Sequence, residues 1–322
     1  MINSFKQISA LITALLLSLC LCACKGTQNE ESGKVKVVCT VFPIYDWTRE
    51  IAGDQAEISW LLSNGTDMHS FQPSAADMIK IAECDLLIFV GGESDEWVDE
   101  AIGLYDNKNR SLVNLMELLG NSAHTEEHTE GMQEEKHFHG EEEEELDEHL
   151  WLSLKNATLF TENIAEVLGE KDPDNAEFYR ENYEKYSEKL MSLDGEYRAA
   201  VSGARINTLL FADRFPFRYL TEDYGLSYYA AFPGCSAETE ASFETVAFLS
   251  AKTDELGLKY ILTTETAGTK IADTVITNTR EKNQEILVLD SMQSVGINDA
   301  ENGVTYLSVM RKNLEALKKA LG

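Results

Sequence analysis

The chain has 322 residues, with 56 Asp+Glu against 27 Lys+Arg and a formal net charge of −29. At 43% hydrophobic and 9% aromatic it carries enough apolar side chain for a folded core, which excludes a disordered chain, and its length suggests two domains. The acidity argues against a nucleic-acid partner, because a polyanion is repelled and no basic stripe offsets that; it favours a cationic partner.

Residues 1–23 read as an export signal: Lys6 is the only charge, and an uncharged stretch runs from Ile8 to Cys24. The alternative is an uncleaved membrane helix, but this stretch is at the short edge of what spans a bilayer. Leu21-Cys22-Ala23-Cys24 resembles the bacterial lipoprotein signal, in which the Cys becomes the acylated first residue. Residues 24–33 then form a polar tether. Three of the six cysteines lie in this leader. Cys39 and Cys84 sit among apolar residues and read as small buried hydrophobes. An exported protein can pair two of the three body cysteines, and the spacing does not say which.

From Val35 the pattern is α/β. Strand-like runs at Val35–Val41, Ile58–Leu62 and Leu86–Val90 alternate with helical stretches at Ile44–Ala52 and Ala75–Glu83. Ser74 with Asp77 reads as a capping box. Residues 34–155 form a first lobe, and the alternation predicts a mainly parallel sheet. It breaks at residues 121–148, which hold twelve acids, one Lys and four His. This stretch reads as a solvated, mobile loop that buries nothing, so its removal leaves the fold intact. Residues 156–203 are helical. Asp172-Pro173 signals the start of a long helix over 173–203, whose stripe of Tyr179, Tyr183, Tyr186, Leu190, Leu193, Tyr197 and Val201 lies against both halves. Strands follow at Thr208–Phe211, Leu226–Ala231, Tyr260–Thr263 and Ile286–Leu289, with a last helix at Tyr306–Leu321. Residues 204–322 are thus a second α/β lobe.

The ligand crevice of an open α/β sheet lies beyond the carboxyl ends of its strands. His69, in a loop after the second strand, is placed there, although a loop His is more often merely solvated. His149 closes the acidic loop. His124, His128, His137 and His139 interleave with Glu, a mixture suited to weak, multiple capture of a divalent metal; a charge run without His is usually only a solvated face. Asp213, Glu265 and Asp290 each follow a strand, where an acid serves either a ligand or a turn. Enzyme signals are absent: there is no H-E-x-x-H, G-x-S-x-G, Walker A loop or G-x-G-x-x-G, and Gly91-Gly92 alone reads as a turn.

The segment GTDMHSFQPSAADMIKIAECDLLIFVGG resembles G-x-D-P-H-x-F/Y-x-P-x-x-x-D followed by a strand and a glycine. That is the first ligand segment of the zinc- and manganese-specific solute-binding proteins of bacterial ABC importers (cluster A-I). DEHLWLSLKNA is similar to the second, D-x-H-x-W-x-x-x-x-N-A. The segment from Gly169 to Asp194 resembles the start of the family's backbone helix, and EILVLDSM its late acidic segment. The resemblance covers roughly 35–320. It implies two lobes joined by a long helix, with the metal in the cleft on His69, His149 and Asp290. One departure is plain: Ala212 stands where the family places a third His or a Glu. Asp213 is the nearest substitute and the favoured one, Glu238 and Glu240 are more remote, and Cys235 is a further candidate whose commoner role is structural.

These readings together predict a lipid-anchored protein on the outer face of the cell membrane, monomeric and not an enzyme. It binds Zn2+ and delivers it to an ABC permease and its ATPase subunit. Mn2+ is the same-class alternative. A secreted metallohydrolase and a metal-stabilised adhesin are the alternatives from other classes.

Overall fold

Buried β-rich runs alternating with amphipathic helices dictate parallel pairing, because each strand must return to the same edge through a helical crossover. The computed structural model describes residues 33–104, 107–133, 145–236 and 240–322; residues 1–32, with Cys24, and also His137, His139 and Glu238 lie outside the described residues. Two four-stranded parallel sheets result. The first comprises β1 (Val35–Cys39), β2 (Ala56–Trp60), β3 (Leu86–Phe89) and β4 (Ser111–Asn114) in the order β2-β1-β3-β4. The second comprises β5 (Thr208–Phe215), β6 (Ser227–Pro233), β7 (Tyr260–Thr264) and β8 (Glu285–Leu289) in the order β6-β5-β7-β8. Each half thus has the same topology. In each, strand order reverses at the central pair, which puts a crevice beyond the carboxyl ends of the strands.

The helices are α1 (Phe42–Ala52), α2 (Ala75–Glu83), α3 (Trp97–Leu104), α4 (Leu115–Leu119), α5 (Leu154–Lys171), α6 (Ala176–Ser202), α7 (Arg218–Tyr224), α8 (Phe243–Leu256), α9 (Lys270–Asn278), α10 (Ile297–Glu301) and α11 (Tyr306–Leu321). The expected Ser74/Asp77 capping box opens α2. Among the described residues no helix is long and apolar enough to cross a membrane.

The long helix begins later than Asp172-Pro173 suggests. Pro173–Asn175 is a separate 3-10 turn, and Asp172 Oδ2 instead accepts the hydroxyl of Tyr179 at 2.7 Å. Tyr179, Tyr186, Leu190, Leu193 and Tyr197 of the stripe are buried, with Tyr183 and Val201 packed at its edge. This face rests on α1, α5 and α11, helices drawn from both ends of the chain. Residues 35–322 accordingly form a single compact unit. One continuous apolar core runs through it, and a smaller second cluster lies around Leu210, Phe232, Leu249 and Ile261.

Polar bonds tie the two halves where the core alone does not fix register. Asp46 Oδ2 on α1 accepts the backbone N–H of Tyr306 at 2.8 Å. The Tyr306 hydroxyl donates to the carbonyl of Trp151 at 2.7 Å, and the Trp151 indole donates to the carbonyl of Ser291 at 2.9 Å. All three side chains are buried, so an unmet partner carries the full desolvation penalty. Tyr306→Phe should therefore destabilise the fold by about 1–3 kcal/mol. In urea unfolding the midpoint falls at unchanged slope; an unmoved midpoint would remove this bond from the account.

The acidic loop departs from expectation. Thr125 and Leu146 form an antiparallel bridge, Glu126 N–H donates to Glu145 O at 2.8 Å, and Asp147 N–H donates to His124 O at 2.8 Å. Farther along, Gln133 donates its N–H to Ala231 O and accepts from Ser242 N–H, while Glu127 takes the Tyr228 hydroxyl and the Arg218 guanidinium. Asp147 and Glu148 are buried. The ends of the 121–148 segment therefore pack against the second half, contrary to a loop that buries nothing. Their backbone groups find partners there that composition does not reveal.

Candidate metal centre

His69 and His149 reach one point from different elements. His69 lies in the 3-10 turn Met68–Ser70 after β2, capped by Asp67, whose Oδ1 accepts the His69 N–H at 3.1 Å. Asp67 Oδ2 pairs with Arg214 of β5 at 3.0 Å, and this pair holds the carboxyl below its usual range despite burial. The turn carrying His69 is thereby fixed to the second half. His149 precedes the 3-10 turn Leu150–Leu152 and is fully buried, its ring edge-on to Trp151.

The outer nitrogens settle which tautomer each ring adopts. Ser94 Oγ donates to Glu148 Oε2 and lies 2.8 Å from His69 Nδ1, so it accepts a hydrogen bond from Nδ1–H. Asp147 Oδ1 lies 3.1 Å from His149 Nδ1 and accepts a hydrogen bond from that N–H. With both rings neutral, the two Nε2 atoms carry lone pairs, 3.4 Å apart. That is long for a hydrogen bond, but two nitrogens each ~2.0–2.1 Å from one tetrahedral zinc stand about 3.3–3.4 Å apart. Burial and the neighbouring His149 push the His69 pKa down to about 3. At His149 burial also opposes the charge, but the Asp147 hydrogen bond, with the Asp147 and Glu148 charges, outweighs it and raises the pKa. His69 is therefore the ring held neutral, while charge is favoured on His149.

Glycine makes room for this outer layer. A Cβ at Gly92 (φ +84°) would stand 2.3 Å from Glu148 Oε1, and one at Gly234 would stand 3.2 Å from His149 Nδ1. Gly91-Gly92 is therefore more than a turn, since it admits the carboxylate that holds Ser94, and through it His69.

Among the described residues, one group of three His, Cys or acidic donors stands close enough to hold an ion: His69, His149 and Cys235, whose ligand atoms lie within 4.8 Å of one another. Cys235 is half-buried just beyond β6, its N–H donated to Glu126 Oε1 at 2.7 Å. Burial and the Glu126, Asp147 and Glu148 charges raise its pKa well above the ordinary thiol value. It is free, as are Cys39 and Cys84, which are buried as expected. A cleft of about 500 Å³ adjoins the group, lined by Asp67, His69, Ala212, Asp213, Arg214 and Cys235. At Ala212 it meets only a methyl group.

The two acids expected here stand differently. Asp213 lines the cleft but its Oδ2 accepts the N–H of Thr264 at 2.8 Å and the Thr264 hydroxyl, stitching β5 to β7. Asp290 Oδ1 accepts the N–H of Met292 at 2.8 Å, closing a local turn, and burial with the nearby Glu265 raises its pKa to about 6. Neither belongs to the three-donor group. The turn instead presents Gln293, whose amide nitrogen lies 2.6 Å from His149 Nε2 and donates to that lone pair. Met292 holds a positive φ of 67°, a sparsely populated conformation for a residue with a side chain, and Glu265 pins the turn through the N–H groups of Ser291 and Gln293. His124 packs against Tyr219, His128 is exposed, and Glu240 pairs with Lys270. Ser94, Glu126, Glu148 and Gln293 carry no role in the sequence reading. Asp147 has a usable signal, since a carboxylate two residues before a ligand His is a common outer partner.

The profile of the family described as "Zinc-uptake complex component A periplasmic" matches residues 37–320. The chain is 33% identical over 318 residues to the zinc-binding lipoprotein AdcA of Streptococcus pneumoniae (strain ATCC BAA-255 / R6), covering 98% of this chain and 61% of that protein. It thus spans about three-fifths of the length of that relative. It is 29% identical over 322 residues to the high-affinity zinc uptake system protein ZnuA of Bacillus subtilis (strain 168), covering 98% of each. The crystal structure of the Zn(II)-bound ZnuA-like domain of the S. pneumoniae AdcA superposes with a TM-score of 0.70 at 30% identity, over 89% of this chain and 99% of that one.

Ser94→Ala removes the acceptor that fixes the His69 tautomer while leaving both rings in place. Zinc affinity should fall about 10–100-fold, the usual effect of losing an outer-shell partner. Chelator competition measures it, with circular dichroism unchanged; undiminished affinity would show that His69 needs no such support.

Proposed function

The chain belongs to the family of periplasmic zinc-uptake components, and from that premise we propose that it captures Zn2+ at the His69–His149 pair for delivery to an ABC permease and its ATPase subunit. The observation that carries the reading is the pair of facing Nε2 lone pairs at 3.4 Å, each ring held by an acceptor on its other nitrogen. Such a pair repels until a cation lies between its members. Asp147 and Glu148 supply negative charge one bond farther out, which favours the loaded state. Asp213 and Asp290 act in this reading as positioning residues, and the amide of Gln293 must turn or leave for His149 to bind. The cargo is carried and released, so no catalytic step is assigned. The relatives' names, zinc-binding lipoprotein and zinc uptake system protein, support the assignment. The export signal with Cys24 supports a lipid anchor on the outer face of the membrane.

His69→Ala and His149→Ala should each lower zinc affinity by well over ~100-fold, beyond the range for outer-shell partners. Calorimetry on the full chain checks this, and unchanged binding in both variants would refute the site. In the producing organism, deletion of the gene should stop growth in chelated medium, with rescue by added zinc; rescue by manganese alone would assign the other cargo.

The acidic segment divides into two functional parts. Excising residues 134–144 should preserve tight zinc binding, because the contacts at Glu126, Gln133 and Asp147 remain. Excising 121–147 should abolish it, since Asp147 and Glu126 go with it. Equal affinity in the two deletions, by competition titration, would contradict this division.

A further inference from the structure

We infer that Cys235 is the third ligand, so that His69, His149 and Cys235 form a pocket of two nitrogens and one sulfur that selects thiophilic ions such as Zn2+ and Cd2+ over Mn2+; this inference rests on the metal-capture reading above. Three independent features bring the sulfur there. Its Sγ and the two imidazoles lie within 4.8 Å of one another, the one such group of metal donors among the described residues. Its backbone is anchored by Glu126, which reaches across from the acidic segment to accept the Cys235 N–H. Gly234 just before it has no Cβ, which eases the close passage of the chain against the His149 ring and Phe215 O.

Among the described residues the neighbouring strand places no donor in that group. Ala212 ends in a methyl group facing the cleft, and the Oδ2 of Asp213 is taken up by Thr264. Sulfur arriving from beyond β6 thus fills a position that β5 leaves without a ligand. Loading transfers the thiol proton to solvent as Sγ takes the ion, so the cation gains one full negative charge from its first shell. Thiolate suits zinc-group ions, whereas manganese prefers carboxylate, carbonyl and water oxygens. The fourth position falls to the Gln293 amide oxygen, after a flip of the group that now donates to His149, or to water.

The test uses the full chain with Co2+ as a spectroscopic stand-in for Zn2+, and Zn2+, Cd2+ and Mn2+ in competition titrations. Wild type should show a near-ultraviolet sulfur-to-cobalt charge-transfer band that is missing from Cys235→Ser. In Cys235→Ser, zinc and cadmium affinity should fall by more than ~100-fold, beyond an outer-shell effect, and manganese affinity far less. Cys235→Asp should shift the preference towards manganese, which also guards against a fold defect in the serine variant. Tight zinc binding with no charge-transfer band and an unaltered metal ratio in both variants would overturn the thiolate while leaving the capture reading intact. Wild type that binds none of these ions would overturn both.

Discussion

Two imidazoles that present unprotonated edges to each other at 3.4 Å form a contact that is unfavourable without a cation. Much of the surrounding structure serves to hold them so. Ser94 and Asp147 accept hydrogen bonds from the Nδ1–H groups, Glu148 holds Ser94, and the glycines at 92 and 234 leave space for these approaches. At His69 burial reinforces the arrangement, because it penalises the protonated ring; at His149 the Asp147 and Glu148 carboxylates outweigh burial and favour charge on the ring. The Gln293 amide partly satisfies His149, while the Nε2 lone pair of His69 stays available to a cation.

The pair and the residues that orient it belong to the first half, while Gln293 and Cys235 reach it from the second, so the complete group requires that the two sheets stay in register. The Asp67–Arg214 ion pair does this at the cleft, and the Tyr306–Trp151–Ser291 chain of bonds does it beneath. The α6 helix backs both halves, and residues 35–322 pack as one compact unit. The acidic segment adds a third tie, since its ends zip together and its Glu126 reaches the residue beside the pocket. Negative charge in this protein is therefore not only solvation; a few of the acids are structural members of the site.

Sequence patterning makes much of the fold legible. Seven of the eight strands and the helices at Ala75–Glu83 and Tyr306–Leu321 follow from β-rich runs and apolar stripes, and α/β alternation implies the parallel sheets. The strand Ser111–Asn114 escapes the pattern because it is four residues long with one buried position. His69 and His149 are legible because they sit in distinctive local segments. Cys235 as a close neighbour of both carries little weight in the sequence, since its proximity depends on how a turn after β6 meets a loop far earlier in the chain. Asp213 and Asp290 are favoured by their position at strand ends, and there backbone N–H groups compete for the same carboxylates. Periodicity cannot see that competition. Nor can it see that an acidic tract has backbone partners at both its ends.

The measurement closest to the centre of this account is X-ray absorption at the zinc edge on the stoichiometrically loaded full chain. It should report two imidazoles with nitrogens at ~2.0–2.1 Å, recognised by their outer-ring scattering, and one sulfur at ~2.3 Å. A first shell lacking imidazole scattering would contradict the paired-histidine site on which everything else here depends.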